Sequence, residues 1–279
     1  MNGILFLNKE KGYTSRDVVN IVSKHLKTKK VGHTGTLDPL ATGVLIICVG
    51  HATKLVDMIT SDDKEYVAQV TLGIATDTLD ITGTILKTED VHLSKERIVE
   101  ALNSMIGQYE QEVPIYSAVK INGKKLYEYA RNNEEIILPK RLVNIKDLKL
   151  TSDIEYLDNK TIFSIKCLVS KGTYIRSLAS DIASKLNTIG VMSELSRTKQ
   201  GIIKIEDCIK IEDVINNKYK LIDIRTCLPD IKQVIVDEIL EKEILNGKII
   251  KNDYNTKTFS IKIFNFLLLS GKVFLAKKN

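Results

Sequence analysis

The chain has 279 residues, 43% hydrophobic and 27% charged with four prolines, which suits one large globular domain or a large domain plus a small one. No run approaches the ~20 apolar residues of a membrane-spanning helix, and Met1 to Lys9 lack the basic-then-apolar layout of a signal peptide, so a cytoplasmic protein is expected. The net charge of +6 fits a polyanionic partner without establishing one.

The chain opens with an apolar strand, Ile4 to Leu7, and a turn-like Asn8-Lys9-Glu10-Lys11-Gly12. Thr14 or Ser15 can cap the next helix, with Asp17 in its first turn. Val18, Ile21, Val22, His25 and Leu26 recur at helical spacing, so this helix buries one face, and His25 reads as structural. A loop from Gly32 to Gly43 leads into the apolar run 44–49, which suits a buried strand. Tyr66 to Leu72 alternates as a strand, with Tyr66, Ala68, Val70 and Leu72 on one side.

Ser94 caps a helix whose core stripe is Ile98, Ala101, Leu102, Met105 and Ile106, ended by Gly107. Phe163, Ile165, Cys167 and Val169 mark a further strand. It runs through Ser170-Lys171-Gly172 into a helix with Ile175, Leu178, Ala179, Ile182 and Leu186 on its core side. Strands and helices mix without a regular βαβ period, which predicts an α+β domain on a largely antiparallel sheet flanked by helices. Leu228-Pro229 is the candidate boundary, giving a domain over 1–228 and a short segment over 229–279. That segment carries strand-like runs at 259–266 and 272–275 and a short helix around 236–245, and is small for an independent core.

Basic residues cluster at Lys24, Lys27, Lys29 and Lys30, at Lys120, Lys124 and Lys125, and at Lys140 and Arg141. Cys48, Cys167, Cys208 and Cys227 are far apart and form no Cys-x-x-Cys pair, so neither a zinc site nor a redox motif is indicated.

The densest signal is Val31-Gly32-His33-Thr34-Gly35-Thr36-Leu37-Asp38-Pro39-Leu40-Ala41-Thr42-Gly43. Three glycines permit tight backbone and three threonines offer hydroxyls. Pro39 holds Asp38 extended and out of a helix, so one carboxylate stands on a stiff loop. A structural turn with Asp-Pro as punctuation is the bland alternative. No phosphate-binding Gly-x-x-x-x-Gly-Lys-Ser/Thr is present. Histidines 33, 51 and 92 sit in unrelated settings, and nothing pairs Asp77 or Asp80 with Asp38 for two-carboxylate hydrolysis.

Gly32-His33-Thr34-Gly35-Thr36-Leu37-Asp38-Pro39-Leu40-Ala41-Thr42-Gly43-Val44-Leu45 resembles the catalytic signature of the TruB family of tRNA pseudouridine-55 synthases. Further blocks are similar in the family's order: Lys9-x-x-Gly12-x-Thr14-Ser15; Lys64-x-Tyr66-x-Ala68 through Gly73, with Thr76, Thr78, Asp80 and Gly83; Tyr116-Ser117-Ala118-Val119-Lys120 with Gly123, Tyr127, Ala130 and Arg131; Ser170 to Leu178 with Asp181; and Leu195-x-Arg197-x-x-x-Gly201. Glu10 stands where the family usually has Pro. The C-terminal segment, which in bacterial members resembles a small PUA RNA-binding domain, matches weakly here, at Leu245-Asn246-Gly247.

The resemblance implies a pseudouridine synthase fold and isomerisation of a flipped T-loop uridine in tRNA by attack of Asp38, on C6 of the base or C1′ of the ribose. Extruding a base costs a few kcal/mol, and aromatic stacking returns ~1–3 kcal/mol. Tyr66 is implied as the stacking residue and Arg176 as the partner of Asp38, keeping it ionised as a nucleophile requires. His33 is implied to contact RNA, Tyr174 and Leu195 to line the nucleotide pocket, and Lys171 to touch phosphate or stand as an ordinary surface lysine. No metal or organic cofactor is implied. Two alternatives stand beside this reading: a non-catalytic RNA-binding module that remodels tRNA, and an RNA-guided synthase. The short chain favours a stand-alone, monomeric enzyme without guide RNA or protein partner.

Overall fold

In the computed structural model, residues 1–60 and 63–227 are described, then the backbone of 232–235, 259–263 and 266–268 and positions 239, 242, 243 and 246. The first strands are β1 (Gly3–Lys9), β2 (Val31–His33), β3 (Thr42–Val49) and β4 (Lys64–Leu72). A hairpin of β5 (Ile74–Thr76) and β6 (Ile85–Thr88) follows, then β7 (Gly107–Glu112) and a small hairpin of β8 (Lys120–Ile121) and β9 (Lys124–Lys125). β10 (Lys140–Leu150), β11 (Glu155–Leu157), β12 (Lys160–Val169), β13 (Gly190–Gln200), β14 (Ile203–Lys204) and β15 (Ile209–Lys210) complete the main sheet. The helices are α1 (Ser15–His25), α2 (Val56–Thr60), α3 (Lys95–Ser104), α4 (Leu126–Arg131), α5 (Ile175–Lys185) and α6 (Ile211–Ile215).

Eleven strands form one mixed sheet with the order β15-β1-β3-β13-β4-β12-β10-β7; β2, β11 and β14 pair at the sides of β3, β12 and β13. All neighbours run antiparallel except β1 with β15 and β3 with β13. The expected α+β class is what the chain adopts. The run 44–49 is apolar at every position because β3 is covered on both faces. Leu45, Ile47 and Val49 join the large core under α1, α3 and α5, while Val44, Ile46 and Cys48 join a second core with Ala52, Leu55 and Ile59. β1 divides likewise, Leu5 and Leu7 to one side and Ile4 and Phe6 to the other.

β3 and β13 meet through only two residue pairs, Thr42 with Ser196 and Gly43 with Arg197. At Gly43 (φ +102°) any Cβ would overlap the backbone of Arg197, so the contact requires glycine there.

Thr14 caps α1 in a reciprocal capping box with Asp17. His25 is structural: its Nε2–H donates to Asn217 Oδ1 at 2.9 Å and its ring meets Tyr219 edge-on. Three expectations need correction. β1 continues through Lys9 into what reads as a turn, and the Gly32–Gly43 loop begins with strand residues 31–33. Ile106 is 47% exposed, because α3 closes at Ser104 and Gly107, at φ +119°, turns the chain into β7. Beyond residue 230, β16 (Lys232–Ile235), β17 (Phe259–Ile263) and β18 (Phe266–Leu268) form a separate three-stranded sheet. The Leu228-Pro229 boundary, the run 272–275 and most of the expected helix around 236–245 lie outside the described residues. Among the described residues no helix is long and apolar enough to cross a membrane.

Candidate active site

Asp38 stands on the loop between β2 and β3, and three distant segments hold that loop, two of them mainly through its backbone and one through the Asp38 carboxylate. From the N-terminal side, the Ser15 hydroxyl accepts from the Leu37 N–H (2.8 Å) and donates to the Leu37 carbonyl (3.2 Å). The Gly12 N–H donates to the Pro39 carbonyl at 2.8 Å. From β13, Arg197 donates to the carbonyls of Val44 (2.7 Å) and Gly35 (3.1 Å), and Gln200 donates to the Thr34 hydroxyl (2.7 Å). Within the loop, the Ala41 N–H closes a turn on the Asp38 carbonyl at 3.0 Å. The Lys9-x-x-Gly12-x-Thr14-Ser15 block thus acts as a clamp on the aspartate loop. Glu10 sits exposed in that turn, which keeps its shape through Gly12 at φ +94°.

Lys9 is fully buried, with its amine donating to the carbonyls of Tyr13 (2.6 Å) and Glu10 (3.0 Å). Burial pulls its pKa down to about 8, opposed by the charge of Asp38. Below pH 8 both folded and unfolded chains carry this proton; between about 8 and 10.5 only the unfolded chain holds it. Stability therefore rises with pH across that window, by up to ~3 kcal/mol from this group. Urea titrations at pH 7.5 and 10 should show this gain in the parent and its loss in Lys9→Met; equal slopes in the two proteins would refute it.

The third segment carries the counter-charge. Arg176, on the first turn of α5, meets Asp38 side-on: Nε lies 2.9 Å from Oδ2 and Nη2 donates to Oδ1 at 3.4 Å. Two further donors are also taken, one on Nη1 by the Thr78 carbonyl (2.9 Å) and one on Nη2 by that of Tyr116 (3.0 Å). At 5% exposure, the guanidinium has no room to swing away. Such a two-point pair orients as well as neutralises the carboxylate.

Asp77 and Asp80 are engaged elsewhere. Asp80 accepts from the hydroxyls of Thr78 and Thr82, and Asp77 from the Thr84 N–H and the Tyr116 hydroxyl. They shape the β5–β6 connection that delivers the Thr78 carbonyl to Arg176.

Beside the pair opens a cavity of about 420 Å³. Asp38, Tyr66, Lys171, Tyr174, Arg176 and Leu195 all line it, although they come from four separate stretches of chain. His33 does not line it; it sits on β2, with Nδ1 accepting from the Gly35 N–H at 3.3 Å, and burial lowers its pKa so that the ring is neutral at physiological pH. Tyr66 is buried with its ring against the cavity. Burial raises its phenol pKa, while Arg197 beside it opposes the shift, so the hydroxyl keeps its proton. Lys171 is exposed at the mouth, next to Gly172.

Lys64, Tyr116, Ser117, Tyr127 and Arg197 also line the cavity and were not singled out as site residues. Each lies in a block that carried the resemblance, and that was their only sequence signal. At the edge of the cavity, the Tyr127 ring centroid lies 5.2 Å from the Lys125 amine, which donates to its hydroxyl, and 5.3 Å from the Arg131 guanidinium.

Residues 23–175 match the family model for the N-terminal domain of TruB family pseudouridylate synthases. Proteins named tRNA pseudouridine synthase B from Staphylococcus aureus strains Newman and COL are 45% identical over 269 residues, covering 92% of this chain and 88% of theirs. The chain belongs to the TruB family of pseudouridylate synthases. The TruB family match takes in Asp38 and Tyr66 and stops one residue short of Arg176, while the similarity to the Staphylococcus proteins covers most of the chain. Among solved structures, an H/ACA RNP bound to a substrate RNA containing 2′-deoxyuridine superposes with a TM-score of 0.65 at 22% identity, covering 93% of this chain and 73% of that one. A Cbf5-Nop10-Gar1 complex gives 0.65 at 24%, covering 88% and 67%. At these identities the likeness establishes a common fold, and this TruB family member shares it.

Proposed function

We infer that this protein isomerises uridine to pseudouridine in tRNA, with Asp38 as the nucleophile. The observation that carries the assignment of Asp38 is its two-point pairing with a buried arginine at the wall of an aromatic-lined cavity. The substrate is the T-loop uridine at position 55, reached by flipping it out of the T-arm. The flipped uracil stacks on Tyr66, with Tyr174 and Leu195 closing the pocket around it and Lys171 meeting a backbone phosphate at the mouth. His33, outside the cavity, contacts the RNA next to the extruded nucleotide.

In the reaction the N1–C1′ bond breaks, the uracil turns within the pocket, C5 bonds to C1′, the proton on C5 leaves to solvent and N1 takes one up, so that atoms and charge are conserved. Asp38 adds to the nucleotide at the start and departs at the end, so the protein emerges unchanged. Arg176 holds the carboxylate aimed throughout. The protonated phenol of Tyr66 supplies a face to the base and is not a standing anion.

The chain acts alone in the cytoplasm, as a monomer without guide RNA. Similarity to the Staphylococcus proteins over nearly their whole length supports this reading. Incubating the protein alone with unmodified tRNA and mapping pseudouridine by primer extension tests it. A single modification in the T-loop is expected; no product, or product only with added RNA, would overturn it.

Binding should be strongly salt-dependent, because Lys24, Lys27, Lys29, Lys30, Lys140 and Arg141 are exposed. Lys124 and Lys125 contribute less, since the first is held by Glu134 and the second by the Tyr127 hydroxyl. Each phosphate contact removed by a Lys→Gln change in the 24–30 group should reduce the log–log salt slope by about 0.7–0.9. Affinity independent of salt would remove the electrostatic part of this reading.

A further inference from the structure

Gln111 lies on β7, the edge strand at the far end of the sheet path from β15, and its side chain is 1% exposed. A buried amide needs partners for both ends, and here both ends grip one residue. Oε1 accepts from the Tyr174 N–H at 2.7 Å, and Nε2 donates to the Tyr174 carbonyl at 3.1 Å. Tyr174 is the N-cap of α5, and no side chain of its own caps that helix. Two residues later Arg176 reaches Asp38.

The amide is itself oriented. Nε2 also donates to the Tyr109 hydroxyl (2.7 Å), which therefore must use its own proton on Asp181 Oδ2 (2.9 Å). Asp181 stands on α5, so the chain of contacts leaves the helix, crosses β7 and returns to the start of the same helix. The Ser177 hydroxyl adds a second tie, donating to the Glu112 carbonyl at 2.9 Å.

We propose that Gln111, held by Tyr109 and Asp181, is a positioning residue that sets where α5 begins and so aims Arg176 at Asp38. The proposal rests on the role given above to the Asp38–Arg176 pair. Gln111 lines no part of the cavity and touches no substrate. It works through backbone: the guanidinium is fixed by three carbonyl or carboxylate partners, and a shift of the first turn of α5 would misalign all of them together. Displacements near 1 Å at a reacting group cost about 100-fold in rate.

Three variants test this. Gln111→Glu keeps the shape but sets a carboxylate oxygen against the Tyr174 carbonyl. Tyr109→Phe removes one hydroxyl and with it one of the three contacts that orient the amide, and Arg176→Lys reports on the pair itself. Single-turnover rates at saturating enzyme and tRNA affinities are measured on one unmodified tRNA, after circular dichroism confirms folding. Gln111→Glu is expected to lose about 10–100-fold in rate and Tyr109→Phe about 3–10-fold, each with affinity within about twofold of the parent. A merely structural residue would lower the melting temperature and leave the saturated rate alone. If Gln111→Glu does not fold, Tyr109→Phe carries the test. Full rate in Tyr109→Phe, or in a folded Gln111→Glu, while Arg176→Lys is impaired, overturns the positioning role and leaves the pair intact. Full rate in all three removes both.

Discussion

Asp38→Asn should form no measurable pseudouridine even with enzyme in excess over tRNA, a loss of at least about 10⁴-fold. The amide fills the same space and Pro39 still holds the backbone extended. The loop also keeps its ties to Gly12, Ser15, Arg197 and Gln200, none of which uses the Asp38 side chain. What is removed is the anion proposed to attack. Arg176 loses a charged partner but keeps the carbonyls of Thr78 and Tyr116. Because the Asp38 side chain is 34% exposed, solvent screens part of the cost, which is on the order of 1–2 kcal/mol. The variant should therefore fold and bind tRNA at least as tightly as the parent, since one negative charge is gone from a surface that meets a polyanion. Product and affinity measured on the same tRNA decide the matter. Parent-like product formation would end the proposed mechanism, whereas an inactive parent that still remodels tRNA would identify a chaperone.

Arg176→Lys should cost about 100-fold in single-turnover rate with little change in affinity. The net charge is conserved, so a purely electrostatic role would leave the rate nearly intact. The arginine, however, spends Nε, Nη1 and Nη2 on three acceptors at fixed angles. An ammonium cannot reproduce that planar fork, and at most it would hold the carboxylate from one point. A free-rotating carboxylate attacks from many directions, few of them productive. Arg176→Lys with parent-like rate would mean that charge alone matters and that the geometry described here is incidental.

Most of the fold was legible because its strands carry clear periodicity. β4 shows period two with Tyr66, Ala68, Val70 and Leu72 inward, and β3 shows the unbroken apolar run of a strand covered twice. β13 was not legible as a strand from its pattern. Buried Arg197 and Gln200 interrupt it, and they are buried because their side chains hold the aspartate loop instead of facing solvent. Lys9 escaped for the same reason: a lysine after an apolar strand reads as the solvated start of a turn, yet this one is enclosed. Ile106 misled in the opposite direction, because helical spacing continues past the point where Met105 caps α3. In the site, Asp38 was legible from local chemistry, while Tyr66 and Arg176 depended on the family resemblance. No periodicity could announce that residues 138 apart in the chain would meet. The Gln111 link was invisible, since a glutamine in an edge strand resembles any other surface amide.

The position of β13 in the sheet has a consequence for synthesis on the ribosome. β3 and β4 are consecutive in the chain but never touch as partners; β13 lies between them. At roughly 5–20 residues per second, about 6–25 seconds separate the completion of β4 from the emergence of β13. Throughout that interval β4 lacks the partner that covers one edge along its whole length, whereas β3, already paired by β1 and β2, lacks only the contacts of Thr42 and Gly43; an apolar strand with an open edge is prone to pairing with a neighbour. The aspartate loop is equally unfinished, because Arg197 and Gln200 arrive with the same strand. Activity and the closing of the sheet are thus one late event, and any release of the chain before residue 200 would leave a sticky and inert fragment.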